Sequence, residues 1–219
     1  LNHEQPDRVP IDFGSTFVST IYLSAYDRLK EHLGFDHETV VMSKRRGLAQ
    51  VHPSILERFD ADARYLSLGP PDGDAEEQAN DSYVDAWGTT WRNADDGHYL
   101  YVDGPFFNQK KPSIDDIERL EWPDPDNPGY VRGLAERAAA LRRDTDCAIV
   151  LNLPLGVVHQ GQFVRGFGDW LKDLYKNPDF ICRFMDVCAD YFVRLSENAL
   201  DCVGDNVDVV MFGDDLGTQ

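Results

Sequence analysis

The chain has 219 residues, 42% of them hydrophobic and 11% aromatic, and sets 39 Asp+Glu against 21 Lys+Arg for a formal net charge of −18. So acidic a surface repels phosphate backbones and anionic bilayers, which argues against nucleic acid and membrane as partners. The apolar share suffices for a globular core, apolar runs such as Ala148-Ile149-Val150-Leu151 are too short to span a bilayer, and Leu1-Asn2-His3-Glu4 does not open a leader, so a cytoplasmic protein is expected.

In chain order, Val9-Pro10-Ile11-Asp12-Phe13-Gly14 is short, apolar and closed by glycine, as a first strand would be, with Asp12 near its carboxyl end. Residues 19 to 33 carry Ile21, Tyr22, Ala25, Leu29 and Leu33 at helical spacing before a Gly34 stop. A second helix is expected over 46 to 59, interrupted near Pro53, and leads into a second strand, Ala63-Arg64-Tyr65-Leu66-Ser67-Leu68. From Asp72 to Lys111 the pattern changes: Asp85 to Arg92 and His98 to Val102 flank an Asn93-Ala94-Asp95-Asp96-Gly97 turn, which predicts a β-hairpin inserted over 72–111. The acidic group Asp72, Asp74, Glu76 and Glu77 fits a solvated loop better than a calcium site.

Ser113 is the expected cap of a short helix, Trp122 to Pro128 an extended connector, and 129 to 143 an Ala/Arg/Leu helix. A third strand, Cys147 to Leu153, ends on Asn152; a loop with His159 and Gln160 follows, then a long amphipathic helix over 179 to 203. A fourth strand over 207 to 212 runs into Gly213-Asp214-Asp215-Leu216-Gly217-Thr218-Gln219. Strands that are apolar almost throughout and alternate with helices predict an α/β fold of the (β/α)8 TIM-barrel type, of which about the first four βα units are present. No G-x-G-x-x-G or G-x-x-x-x-G-K-[ST] follows any strand, which disfavours a nucleotide-binding sheet. The four cysteines, Cys147, Cys182, Cys188 and Cys202, have no CxxC spacing and are expected as reduced thiols.

Six pieces resemble, in order, the uroporphyrinogen decarboxylase superfamily: Pro6 to Gly14, Asp85-Ala86-Trp87-Gly88, Trp122-Pro123-Asp124-Pro125, Arg165-Gly166-Phe167, Leu174 to Pro178, and Asp208 to Gln219. The resemblance covers almost the whole chain and implies a single barrel domain over 1–219, the amino-terminal part of a longer one, with its cleft at the carboxyl ends of the strands. It also implies an enzyme of the decarboxylase-like or corrinoid methyltransferase branch. Methyl transfer on a small methyl donor, corrinoid or tetrapyrrole is the leading expectation, and decarboxylation of uroporphyrinogen III the alternative. The heme-pathway enzymes place an Arg-rich stretch after the first strand, where this chain has Phe13-Gly14-Ser15-Thr16-Phe17. Zinc and a corrinoid are implied for a full-length methyltransferase, whose ligand positions fall outside this chain, so no metal ligand is assigned here.

The candidate catalytic residues are Asp214, Asp215 and Asp12, since paired carboxylates after a buried strand suit proton transfer or cation binding. Alternatively one aspartate caps a helix and the other is solvated. Asn152, Arg165, His159 and Gln219 are the candidate substrate-binding residues: Arg165 either clamps a carboxylate or pairs with Asp169, and His159 is either a general base or a loop-packing imidazole. The expected partners are a small-molecule substrate, a corrinoid protein, and either a second copy or the other barrel half. A non-catalytic half-barrel interaction module is the reading from another class.

Overall fold

The computed structural model describes residues 5–73, 77–78, 81–94, 98–154 and 156–217. In chain order the elements are β1 (Ile21–Tyr22), α1 (Leu23–Leu33), β2 (Val40–Ser43), β3 (Leu48–Gln50), α2 (Pro53–Arg58) and β4 (Ala63–Ser67). There follow β5 (Glu77–Gln78), β6 (Ser82–Val84), β7 (Thr90–Asn93), β8 (Tyr99–Asp103), α3 (Ile114–Glu118), α4 (Leu134–Asp144) and β9 (Ala148–Asn152). The last are α5 (Val157–Arg165), α6 (Phe167–Lys176), α7 (Pro178–Val203) and β10 (Val209–Met211). The chain divides into two compact units, one of Leu1–Ser67, Ala135–Asn152 and Val203–Met211, the other of Leu68–Leu134, Leu153–Cys202 and Phe212–Gln219.

The first unit holds a parallel sheet of order β10-β9-β4 and a small antiparallel sheet of order β1-β3-β2. Leu66 pairs with Leu151 and Val210 with the same Leu151, so one apolar row crosses the parallel strands. Asp208 fastens β10 to β9: its carboxylate accepts from the Ile149 N–H (2.8 Å) and from Arg142 (2.7 Å), and its own N–H donates to the Ile149 carbonyl (2.9 Å). Helix α1 ends as the glycine signal predicts. Gly34, at φ 76°, donates to the Glu31 carbonyl and Phe35 donates to the Lys30 carbonyl, a Schellman closure.

The expected (β/α)8 architecture is not found. Among the described residues the strands form three small separate sheets, only one of them parallel and with three strands, and no barrel is closed. The expected first strand over 9–14 is absent because Ile11 spends both backbone groups on Asp62. Its N–H donates to the Asp62 carboxylate (2.7 Å) and its carbonyl accepts from the Asp62 N–H (2.8 Å), while Pro10 offers no N–H. The expected helix over 46–59 begins only at Pro53, because residues 48–50 pair with β2 and β1. Helix α1 likewise starts at Leu23 because Ile21 and Tyr22 are strand residues.

The second unit contains an antiparallel sheet of order β5-β6-β7-β8. The hairpin between β7 and β8 falls where the sequence puts it, although Asp95, Asp96 and Gly97 of its turn lie outside the described residues. Asp85 organises the preceding turn by accepting from the N–H groups of Trp87 (2.9 Å) and Thr89 (3.0 Å) and from Trp91 Nε1 (2.7 Å). Ser113 and Asp116 close a reciprocal capping box on α3. The core is aromatic: Phe106 meets Phe180 edge-on at 5.1 Å, Trp122 meets Phe184 at 5.5 Å, and Trp87 meets Tyr191 at 5.0 Å. Trp170 of α6 is fully enclosed and lies against Gly161 of α5, where an added Cβ would come within 2.3 Å of its ring. Among the described residues no helix is long and apolar enough to cross a membrane.

In the first unit His37 and His52 stack with ring centroids 4.0 Å apart, and the Tyr26 hydroxyl lies 3.0 Å from His37 Nε2. Burial lowers the His37 pKa, and His52 and Lys30 add to the effect. The unfolded chain therefore binds this proton at a higher pH than the folded one, so stability is full above about pH 6.5 and falls as the pH drops toward the folded value. The urea midpoint is expected to be lower at pH 5.5 than at pH 7.5, by a margin that shrinks in His37→Gln.

Two alanine substitutions test the α5–α6 contact. Gly161→Ala gains about 1 kcal/mol of helix propensity but overpacks Trp170 by about 3 kcal/mol, a net loss that lowers Tm by roughly 4–8 °C. Gly168→Ala, whose Cβ would meet nothing within 4 Å, is expected to leave Tm unchanged or raise it. Equal melting of the two variants would show that the Trp170 contact does not constrain the helix pair.

Candidate functional site

Helix α5 opens on Gly156, which has no side chain with which to cap. The first-turn N–H groups of a helix need acceptors, and here two of them find theirs 56 and 55 residues away. Asp214 Oδ2 accepts from the Val158 N–H (2.8 Å), and Oδ1 accepts from the His159 N–H (3.0 Å). The same carboxylate receives the imidazole: Asp214 Oδ1 and His159 Nδ1 are 2.9 Å apart. An ionised carboxylate only accepts, so the proton sits on Nδ1 and Nε2 is left as the working nitrogen. His159 Nε2 lies 3.3 Å from Asp215 Oδ2. It donates to that oxygen as imidazolium and presents a lone pair beside it when the ring is neutral.

Exposure separates the two aspartates by role. The Asp214 side chain is 7% exposed and that of Asp215 68%, with His159 between them at 30%. Asp214 is thus the fixed orienting group, favoured further by the positive end of the α5 dipole, and Asp215 the solvent-facing one. Phe163, one turn along α5, lies 5.9 Å from the imidazole ring and 4.9 Å from Trp91, which backs the histidine with apolar surface. Burial raises the Cys188 thiol pKa and the Asp214 charge adds to it, so this cysteine is a neutral thiol rather than a nucleophile.

The remaining sequence-predicted residues are placed as follows. Arg165 is buried and fully engaged: Nε donates to Asp173 Oδ2 (2.8 Å), and Nη1 to the carbonyls of Phe106 (2.7 Å) and Gln109 (2.9 Å). Its contact with Asp169 is the looser one, at 3.8 Å. Asp173 was not singled out from the sequence, because it lies eight residues from Arg165, outside the i+3 and i+4 spacings that helical periodicity offers, and the two meet across the break between α5 and α6 at Gly166, φ 84°. Asp12 and Asn152 belong to the first unit. Asp12 Oδ1 accepts from the Ser15 N–H (3.1 Å) in a loop brace. Asn152 Nδ2 faces three carbonyls, those of Ser15 (2.8 Å), Val150 (3.1 Å) and Leu66 (3.4 Å), which fixes the amide orientation and leaves Oδ1 without a donor among the described residues. Gln219 lies outside the described residues.

A separate cavity of about 460 Å³ in the second unit is lined by Asp72, Asp85, Asp124, Asn127, Tyr130 and neighbouring residues, and includes neither His159 nor Asp214. Its acids are occupied structurally, Asp72 by Arg132 at 2.6 Å and Asp85 by the β7 turn, so the His159 cluster is the better chemical candidate. Among the described residues no three His, Cys, Asp or Glu side chains form a metal-holding group. No known family model matches this chain, and a search of curated proteins finds no match either.

Asp214→Ala removes both first-turn acceptors and is expected to destabilise the protein by about 1–2 kcal/mol, a fall in Tm of roughly 2–8 °C. Asp214→Asn, which keeps one carbonyl oxygen, should lose about half as much. If Asp214→Ala melts with the wild type, the carboxylate is not the cap of α5.

Proposed function

We propose that the chain forms part of an enzyme that transfers a proton to or from a small substrate, with His159 as the general acid–base group, Asp214 as its orienting carboxylate and Asp215 at its solvent-facing nitrogen. The observation that carries this is the contact of His159 with a carboxylate at each ring nitrogen, one enclosed and one exposed. A histidine fixed at Nδ1 by a buried carboxylate presents Nε2 in one orientation and one tautomer, the arrangement that acid–base catalysis uses.

The resemblance to the uroporphyrinogen decarboxylase superfamily supports a carboxy-lyase version of this reading. Loss of CO2 from a substrate carboxylate leaves an electron pair on carbon, and one proton must be delivered there: R–COO⁻ + H⁺ gives R–H + CO2. His159 Nε2–H is the proton donor in this proposal. Methyl transfer in that superfamily relies on a zinc-held thiolate whose ligand positions fall outside this chain, so the residues at hand speak only to the proton-transfer version. No step is drawn through zinc or a corrinoid. A cytoplasmic setting accords with four cysteines that are all free.

A second reading has its own observation. β10 is bordered by β9 on one side and by no strand on the other among the described residues, and its Val209 and Val210 are exposed. An unpaired apolar edge invites strand addition by another chain, a non-catalytic role for this surface.

The test is CO2 release and solvent deuterium incorporation with uroporphyrinogen as substrate. His159→Gln is expected to lower kcat by about 10²–10⁴ while leaving KM within a few-fold. Turnover without deuterium in the product, or undiminished turnover in His159→Gln, would remove the acid–base assignment. Light scattering tests the edge reading, for which a monomer at all concentrations is the adverse result.

A further inference from the structure

Arg46 occupies the turn between β2 and β3, in the basic run Lys44-Arg45-Arg46 of an otherwise strongly acidic chain. The turn is pinned on both flanks. Gly47, at φ 62°, donates to the Lys44 carbonyl (3.1 Å), the Arg46 N–H donates to Ser43 Oγ (3.3 Å), and the Leu23 N–H donates to the Gly47 carbonyl (2.9 Å). This turn sets the half-buried guanidinium of Arg46 over the Phe17 ring, 4.0 Å from its centroid. Cation and ring attract, but the ring supplies no lone pair to the five N–H donors.

Among the described residues Arg46 has no carboxylate or carbonyl partner for those donors. Arg64, Arg142, Arg165 and Arg183, which are likewise withdrawn from full exposure, each reach one. Set beside these four, a partly desolvated guanidinium with neither a carboxylate nor a carbonyl partner among the described residues is the exception, in a chain with 39 acids. Burial lowers its pKa to about 10, with the like charge of Arg45 contributing, so it remains a cation at neutral pH and gains from an anion. One more donor in the neighbouring sequence is unsatisfied: Ser15 Oγ, two residues before Phe17, is buried and has no partner among the described residues.

We propose that Arg46, braced on Phe17, anchors an oxyanion-binding site on the first unit and takes the carboxylate or phosphate group of a small molecule. One face of the guanidinium is held by the ring, so its edge offers the planar, two-pronged donor set that matches such oxygens. The site stands independently of the His159 reading, which lies in the other unit.

The test is calorimetric titration of the whole chain with inorganic phosphate and, separately, with succinate, at constant ionic strength. Saturable binding of either supports the site, and the one that binds names the class. Arg46→Gln is expected to weaken that binding at least about tenfold, because a charge-assisted pair is lost. Arg46→Lys, which keeps the charge and loses the fork, should weaken it several-fold, and the exposed Arg58→Gln should not change it. Failure of both anions to saturate overturns the proposal, as does wild-type affinity in Arg46→Gln. If circular dichroism shows that Arg46→Gln does not fold, wild-type affinity in Arg46→Lys overturns it instead.

Discussion

The second unit depends on a carboxylate supplied from far along the chain. Helix α5 begins at a residue with no side chain, so its first-turn donors need a partner, and Asp214 meets two of them with one group. The same oxygens hold the His159 ring and the Asp215 N–H, so among the described residues the turn from Gly213 onward is held by hydrogen bonds to this side chain. Structure and candidate chemistry are therefore not separable at this position. The group that orients the imidazole is also the one that lets the helix bearing it begin, which couples placement of the base to formation of its support.

Much of the local structure was legible in the sequence. Gly34 stopped α1, Ser113 capped α3, and the apolar runs over 63–68, 147–153 and 207–212 became the three parallel strands, while Pro53, read as an interruption within a helix, turned out to open α2. Each of these signals is local: a φ preference, a cap oxygen, a missing N–H, a period of apolar residues. The errors arose where a distant partner decided the outcome. Nothing near Ile11 announces that Asp62 will take both of its backbone groups, and without that the stretch 9–14 has every mark of a strand. The count of repeated βα units failed with it. The site was half legible: Asp214 and His159 were both singled out, but as separate candidates, since a spacing of 55 residues carries no periodic signal of contact.

The excess of acid is put to local use. Asp27 is held below the usual carboxylate range by the Thr39 hydroxyl, Asp62 by the Ile11 N–H, Asp116 by Ser113, Asp126 by Asn198 and Asp169 by Lys172. In each case the first cause is a hydrogen bond, from a neutral donor in all but the last. Such carboxylates act as acceptors that fasten loops, and the stability they lend is present above their unfolded pKa and lost as the pH falls through the folded one. These groups are largely exposed, so each contributes little alone. Asp208 is the more enclosed case: burial pushes it up, and the Ile149 N–H and Arg142 together bring it below the ordinary value.

The buried thiol of Cys188 has a kinetic consequence. Its neutral, enclosed sulfur is silent toward alkylating reagents while the aromatic core of its unit is intact, whereas Cys182, on the same helix α7, is exposed. The two sulfurs lie under two turns of helix apart and share one scaffold, yet one reports on the surface and the other on the opening of the interior. The ratio of their labelling rates is a clock built into the chain, reading how often the core around Trp170 and Phe184 parts enough to admit solvent.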